Sequence, residues 1–384
     1  MTFEPVAVGY CDTYDPDAVK AALHKLLRET DGLSFLKHGM RVGLKANMVG
    51  AGKPETAITT HPVVLAALTR ILLESGAASV TVGDSGGGPW TAGHMNHIYT
   101  ASGMHVVEEA GGTLNRDFSE KEAVFPEAKQ AKSFRYTGWI DSCDALINVC
   151  KLKSHGMMGQ SNAIKNLFGT VPGIVKPEYH YRYPNPNDFA DMIVDIHDYV
   201  RPVLHVCDAI EAMEGNGPTQ GTPYPLHALL VSKSAPLLDW AAAKMIGMDV
   251  DDTPILQAAR RRGYLPDTFD KVSIIGDFNA LCVSDFRTIE NHNSHLFSNN
   301  ATLYGRLRGM VMSLALSSKP RVVKRKCVGC KKCFAICPAK AITMKNRLPV
   351  IDRKACIKCF CCQEFCPKGA MVVHRAAIAR LINR

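Results

Sequence analysis

One cysteine pattern constrains this chain more than any other feature. Cys327-x2-Cys330-x2-Cys333-x3-Cys337-Pro338 recurs 29 residues later as Cys356-x2-Cys359-x2-Cys362-x3-Cys366-Pro367. Three thiolates on one tight loop hold three corners of an iron–sulfur cube, and the fourth, carried onto the following helix, points at the neighbouring cube. The spacing predicts two 4Fe–4S clusters with crossed ligands: Cys327, Cys330, Cys333 and Cys366 for one, Cys356, Cys359, Cys362 and Cys337 for the other. Structural zinc sites take their ligands as two separated pairs, so a run of four cysteines closed by proline fits zinc poorly. Disulfides are disfavoured as well. The start Met1-Thr2-Phe3-Glu4-Pro5 has neither a basic stretch nor an apolar run, so a reducing, cytoplasmic compartment is expected. Cys361, beside the ligand Cys362, reads first as a small packed side chain and second as an alternative ligand.

Between and after the two motifs, Ala341–Met344, Pro349–Asp352 and Ala370–Val373 read as short strands, and residues 375–383 as a short helix. With the cysteine runs, this makes residues 319–374 resemble a two-cluster bacterial-type ferredoxin, a small α+β domain. So short a segment buries little apolar surface, and metal–thiolate bonds must replace part of its core. Charge changes at the same boundary. Residues 319–384 hold 17 Lys and Arg against 2 Asp and Glu, whereas residues 1–318 hold 28 against 34. So basic a module suits docking on the acidic remainder of the chain or on an acidic electron-donor protein. Nucleic acid is the lesser reading, because no nucleic-acid-binding motif accompanies the charge.

Residues 1–318 have the length and composition of an ordinary globular domain, with 46% hydrophobic and 21% charged residues in the whole chain. No apolar stretch is long enough to span a membrane. Leu303, Leu307, Met310, Val311 and Leu314 share one helical face, so a packed helix is expected there, with Ser317-Ser318-Lys319-Pro320 as linker to a second domain over 319–384. Strands are expected at Met40–Leu44, Ala78–Gly83, Ala145–Val149, Val203–Cys207, Leu229–Ser232 and Val272–Gly276. Helices are expected at His61–Ser75, 188–199, 236–246 and 253–262. This alternation predicts an α/β fold, a mainly parallel sheet covered by helices on both faces. Ligands of such sheets bind outside the carboxyl ends of the strands.

Polar residues gather at those ends: Lys45 and Asn47, Asp84 and Ser85, Lys151 to His155, Asp208, and the turn Glu214-Gly215-Asn216-Gly217-Pro218. Wet loop tips are often polar, but the recurrence at one sheet edge favours a site. Asp84-Ser85-Gly86-Gly87-Gly88-Pro89 satisfies neither nucleotide-binding glycine pattern, so it reads as a tight loop of close backbone approach. His94, His97 and His105 have no established ligand spacing. No flavin or nicotinamide fingerprint is evident.

Lys45-Ala46-Asn47-Met48, Thr60-His61-Pro62-Val63-Val64, Val82-Gly83-Asp84-Ser85, Lys151-Leu152-Lys153-Ser154-His155, Ala163-Ile164-Lys165-Asn166-Leu167-Phe168-Gly169 and Glu214-Gly215-Asn216-Gly217-Pro218 together resemble the family known as domain of unknown function three-six-two. The resemblance implies a two-part architecture, some members carrying a C-terminal ferredoxin-like segment, and supplies no reaction. From the side-chain chemistry, Lys153, His155, Lys165 and Asn166 are the expected catalytic set, as charge-stabilising, proton-donating and orienting groups. Lys45, Asn47, Asp84, Ser85, His180 and Asn216 are expected to bind substrate. The expected function is an iron–sulfur oxidoreductase, a reductase relaying single electrons from the clusters to a small polar or anionic substrate in the α/β domain. An electron-transfer or docking subunit, and a protein with structural or redox-sensing clusters, are the alternatives.

Overall fold

The computed structural model describes residues 3–289 and 318–374. In chain order the strands are β1 (Val6–Tyr10), β2 (Arg41–Lys45), β3 (Ser79–Gly83), β4 (Thr113–Leu114), β5 (Glu120–Val124), β6 (Ser133–Thr137), β7 (Ala145–His155), β8 (Gly159–Ser161), β9 (Leu204–Glu214), β10 (Thr222–Ser232) and β11 (Ile274–Ile275). Nine of them form one sheet in the order β11-β1-β10-β9-β7-β2-β3-β4, with β8 paired to β7. From β9 to β4 the neighbours run parallel, and β10 is antiparallel to both β9 and β1. The fold is the expected mainly parallel α/β sheet.

Apolar side chains fill both faces. Leu23 and Leu26 of the helix Pro16–Glu29 pack with Leu65, Leu68 and Leu72 of the helix Pro62–Glu74 on one side. On the other, Phe189 and Ile193 of Pro186–Val200 pack with Leu238 and Trp240 of Ala235–Met245. With both faces covered, the central strands carry continuous apolar runs, which is why their positions were legible. The chain leaves β2 for β3 in one direction and β7 for β9 in the other. A crevice therefore opens between the carboxyl ends of β2 and β7, where the direction of winding reverses.

The structure departs from the sequence expectations in three places. The strand expected at Ala145–Val149 runs on to His155, so Lys151, Lys153, Ser154 and His155 belong to β7 and all eleven of its residues are buried. Charged residues do not read as buried strand, but here each finds a partner on a neighbouring element. β1, β4, β8 and the hairpin β5–β6 were not expected; they are short or edge elements with little periodicity. Lys319 and Pro320 are not linker: they open β12 (Lys319–Val322), which pairs antiparallel with β15 (Met371–His374). The helices expected at 303–314 and 375–383 lie outside the described residues. β13 (Ile342–Lys345) and β14 (Leu348–Ile351) are the two short strands expected between the cysteine motifs, and they pair antiparallel. Among the described residues, no helix is long and apolar enough to cross a membrane.

Asp239 links the fold to the crevice. Fully buried on the helix Ala235–Met245, its carboxylate accepts the backbone N–H groups of Ala163 (2.6 Å) and Ile164 (3.0 Å), fixing the turn that carries Lys165 and Asn166. Burial outweighs these two bonds and pushes its carboxyl up to about 7. A carboxyl raised in this way stabilises the fold most below its unfolded value and loses that contribution as pH rises towards 7. Asp239→Asn should therefore gain stability relative to the parent between pH 5 and pH 7.5, by denaturant titration; a pH-independent difference would contradict this assignment.

Candidate functional site

The crevice is a cleft of about 650 Å³, counting the part open to solvent. Asn47, Asp84, Ser85, Lys153, Lys165, Asn166, Lys176 and His180 line it from the α/β side, and Cys361, Glu364 and Phe365 line it from the second cysteine motif.

Its floor is an ion pair. Lys45 at the end of β2 is fully buried, its Nζ 2.7 Å from Asp84 Oδ1 beyond β3. Burial lowers the Lys45 pKa, and Asp84 opposes that shift. Asp84 Oδ2 also accepts the backbone N–H of Met48 at 2.5 Å. Gly169 lies directly over the pair, where a Cβ would stand 2.2 Å from Asp84 Oδ1 and 2.5 Å from Lys45 Nζ. Lys45 itself does not line the cleft.

Above the floor, Lys153 Nζ donates to Asn47 Oδ1 (2.8 Å) and to the Ile58 carbonyl (2.7 Å). Asn47 Nδ2 donates in turn to Asn166 Oδ1 at 3.0 Å. Asn166 Nδ2 is committed to Asn148 Oδ1 at 2.8 Å and to the carbonyls of Lys45 and Ala46. Its amide clasps β2 to β7. Burial, then repulsion from Lys165 and Lys151, lowers Lys153 to about 7. Lys165 is lowered by burial against the pull of Glu364, and among the described residues its ammonium has no hydrogen-bond or ion-pair partner. Lys176 donates to the Ser85 carbonyl and is lowered by burial to about 8.

His155 is wholly buried behind Glu364 rather than in the cleft wall. Its Nδ1 accepts the backbone N–H groups of Met157 and Met158, each at 3.1 Å, which places the ring proton on Nε2. Nε2 stands 3.1 Å from Glu364 Oε1, but not squarely in line with it. Burial holds the ring neutral, with a pKa of about 4. Burial pushes the Glu364 carboxyl upward, and the His155 N–H with the nearby Lys165 charge outweighs it, leaving a carboxylate with a pKa of about 2. His180 is stacked on Phe189, with centroids 4.3 Å apart, and its buried Nδ1 has no partner among the described residues. Asn216 does not reach the cleft. Its carbonyl accepts Gln363 Nε2 at 2.9 Å, so it serves the contact with the cysteine segment.

The eight motif cysteines divide between two cages. One cavity is lined by Cys327, Cys330, Cys333 and Cys366, the other by Cys337, Cys356, Cys359 and Cys362. Each set draws three thiols from one motif and the fourth from the other, so the donor set and its arrangement fit iron–sulfur clusters.

A model described as Domain of unknown function (DUF362) matches residues 42–244, over half of the chain and all of the cleft's α/β side. The chain belongs to this family. A 4Fe-4S dicluster domain model matches residues 319–367, so an iron–sulfur ferredoxin-type segment follows the DUF362 region. A thylakoid-associated protein of Synechocystis sp. is 30% identical over 285 residues, covering 72% of this chain and 85% of that protein. Among solved structures, a Thermotoga maritima protein aligns at 11% identity with a TM-score of 0.36, over 59% of this chain and 57% of that one. The lactate racemase apoprotein of Thermoanaerobacterium thermosaccharolyticum aligns at 12% identity with a TM-score of 0.38, over 61% and 55%. The chain thus spans little more than half of each of those two structures.

Within this DUF362 chain, sequence reasoning missed Glu364 and Lys176. Glu364 had a signal: it is one of only two acidic residues among 17 basic ones after position 318. Lys176 had none. Gly169→Ala should destabilise the protein by about 1–3 kcal/mol, the usual range for overpacking a filled interior. Gly50→Ala, where nothing lies within 4 Å, should be near neutral, and equal denaturation midpoints for the two variants would contradict the packing described.

Proposed function

We propose that this chain is an iron–sulfur reductase in which two 4Fe–4S clusters deliver electrons to a small anionic substrate held in the cleft. Cys327, Cys330, Cys333 and Cys366 would hold one cluster and Cys337, Cys356, Cys359 and Cys362 the other, in a unit spanning residues 319–384 beside an α/β unit of residues 1–318. One observation supports this reading above the others. The polar cleft of the α/β sheet is completed by Cys361, Glu364 and Phe365, which are interleaved with the ligand cysteines of the second motif. Clusters bound there supply electrons one at a time, next to the substrate.

The chain's own residues would do the rest. Lys165, without a hydrogen-bond or ion-pair partner among the described residues, meets the substrate's negative charge or a developing oxyanion. Lys153, with its pKa near 7, gives up a proton and regains it from solvent at physiological pH. A two-electron reduction takes up two protons, so one passage through Lys153 leaves a second for water or Lys176. Asn47 and Asn166 position Lys153. His155 is a positioning residue for Glu364, because its ring is neutral and its Nδ1 is committed. His180 and Ser85 carry buried polar atoms without partners among the described residues and are suited to bind substrate.

Lys165→Ala should lower turnover about a hundredfold while both cluster signals persist, read as oxidation of reduced viologen across a screen of unsaturated carboxylates and keto acids. Unchanged turnover would return Lys165 to a structural role. Cys337→Ser should perturb chiefly the electron paramagnetic resonance signal of the cluster held by Cys356, Cys359 and Cys362; zinc in place of iron after anaerobic purification would sink the cluster assignment.

Turnover should fall as pH rises through about 7, where Lys153 loses its proton. Glu364 holds the Lys153 pKa up, so Glu364→Gln should move that fall to lower pH. A move to higher pH would exclude Lys153 as the group responsible.

A further inference from the structure

The two cysteine loops are copies of one motif, yet they face different surroundings. In the second copy, Phe360 and Cys361 follow Cys359 and are buried, at 4% and 1% exposure, and Phe360 joins the α/β core. In the first copy the matching positions are Lys331 and Lys332, both exposed. Gln363, fully buried and donating to the Asn216 and Gly217 carbonyls, corresponds to Phe334, which is 50% exposed. Val328 in the same outer loop is 51% exposed, and Cys330 is exposed between them. A repeated loop that keeps its thiols and trades contact residues for lysines and bare apolar side chains is built to meet something outside the chain.

The surroundings of that loop define the partner. Lys324, Arg325 and Lys326 precede Cys327 on the surface, and Arg347 and Lys368 are also exposed. Among the described residues the module has two carboxylates. Glu364 is turned into the cleft, and Asp352 caps its own turn by accepting the Lys354 N–H at 2.8 Å. Val328, Lys331, Lys332 and Lys368 thus surround the first thiol cage, Arg347 lies against Gly329 of the same loop, and Phe334 one residue beyond Cys333 is half exposed. A small apolar patch ringed by charge of one sign suits a transient complex with a protein of opposite charge.

We infer that the outer loop is the electron-entry face of the chain, and that it docks an acidic protein carrying a one-electron centre at its surface. This rests on the iron–sulfur reading above. Each encounter transfers one electron and no atom: the partner's centre is oxidised by one electron as the chain is reduced by one. The inner loop is closed to such a partner, because the α/β domain already covers it.

The test uses the full-length holo-protein and flavodoxin as the acidic carrier. Binding should be measurable by calorimetry at low salt and weaken steeply as salt rises. Lys331→Glu combined with Lys332→Glu should weaken it at least tenfold and flatten the salt dependence, while iron content stays at the parental level. Arg28→Glu combined with Arg70→Glu, both exposed on the α/β domain, makes the same change in net charge and should leave binding within about twofold. Reduction by flavodoxin semiquinone or hydroquinone should slow with the first pair only, and reduction by methyl viologen radical with neither. Equal loss in both pairs, or no salt-dependent binding, overturns the assignment. So does tighter binding of a short single-stranded oligonucleotide, or a dimer of the chain that the first pair dissociates. Because these readouts involve no substrate, they stand or fall separately from the loss of turnover in Lys165→Ala.

Discussion

One turn of helix, Cys361–Glu364, joins the two halves of this molecule, and most of what is distinctive about the site depends on how it is seated. Phe360 just before it enters the α/β core, a burial that contributes about 1.5–3 kcal/mol. Gln363 satisfies the carbonyls of Asn216 and Gly217, and Thr219 donates to the Glu364 carbonyl at 2.8 Å. Glu364 then reaches His155 and the field of Lys165. Without that carboxylate the cleft would hold several buried amines and no nearby negative charge except Asp84. With it, the cleft is electrostatically tolerable and is walled by the same loop that carries the second cysteine motif.

The buried amines illustrate how one environment gives different results. Lys45 is paired at contact distance with Asp84 and lies beneath the cleft, outside its lining. Lys153 is hydrogen-bonded only to neutral oxygens, so desolvation and repulsion pull it to about 7. Lys165 lacks any hydrogen-bonding partner among the described residues and depends on the more distant Glu364. Buried cations left unsatisfied in this way are costly to maintain, and such perturbed groups gather where chemistry needs them. In the proposed function, an anionic substrate would complete the balance.

Much of this was legible in the sequence, and the exceptions have a common cause. Cysteine spacing is local, and the same eight thiols line two cavities, three from one motif and one from the other in each. Continuous apolar runs marked the covered central strands. The polar extension of β7 was hidden, since nothing local shows that Lys151 would meet Asp208 (2.9 Å) or that Lys153 would meet Asn47. His155 looked like a proton donor until its depth and its two backbone donors were known. Asn216 pointed to the right turn but to the wrong neighbour, the cysteine segment. Glu364 and Lys176 join the site through contacts spanning the chain, for which periodicity and spacing carry no information.

The central claim is that an iron–sulfur cluster sits in the wall of the α/β cleft. An anomalous difference map collected at the iron edge from anaerobically grown crystals tests it directly. Two compact groups of iron are expected, one among Cys337, Cys356, Cys359 and Cys362 behind the cleft wall formed by Cys361 and Glu364, the other among Cys327, Cys330, Cys333 and Cys366 beneath the basic outer face. Iron absent from the inner cage, or a cysteine segment seated away from Lys153 and Lys165, would contradict it.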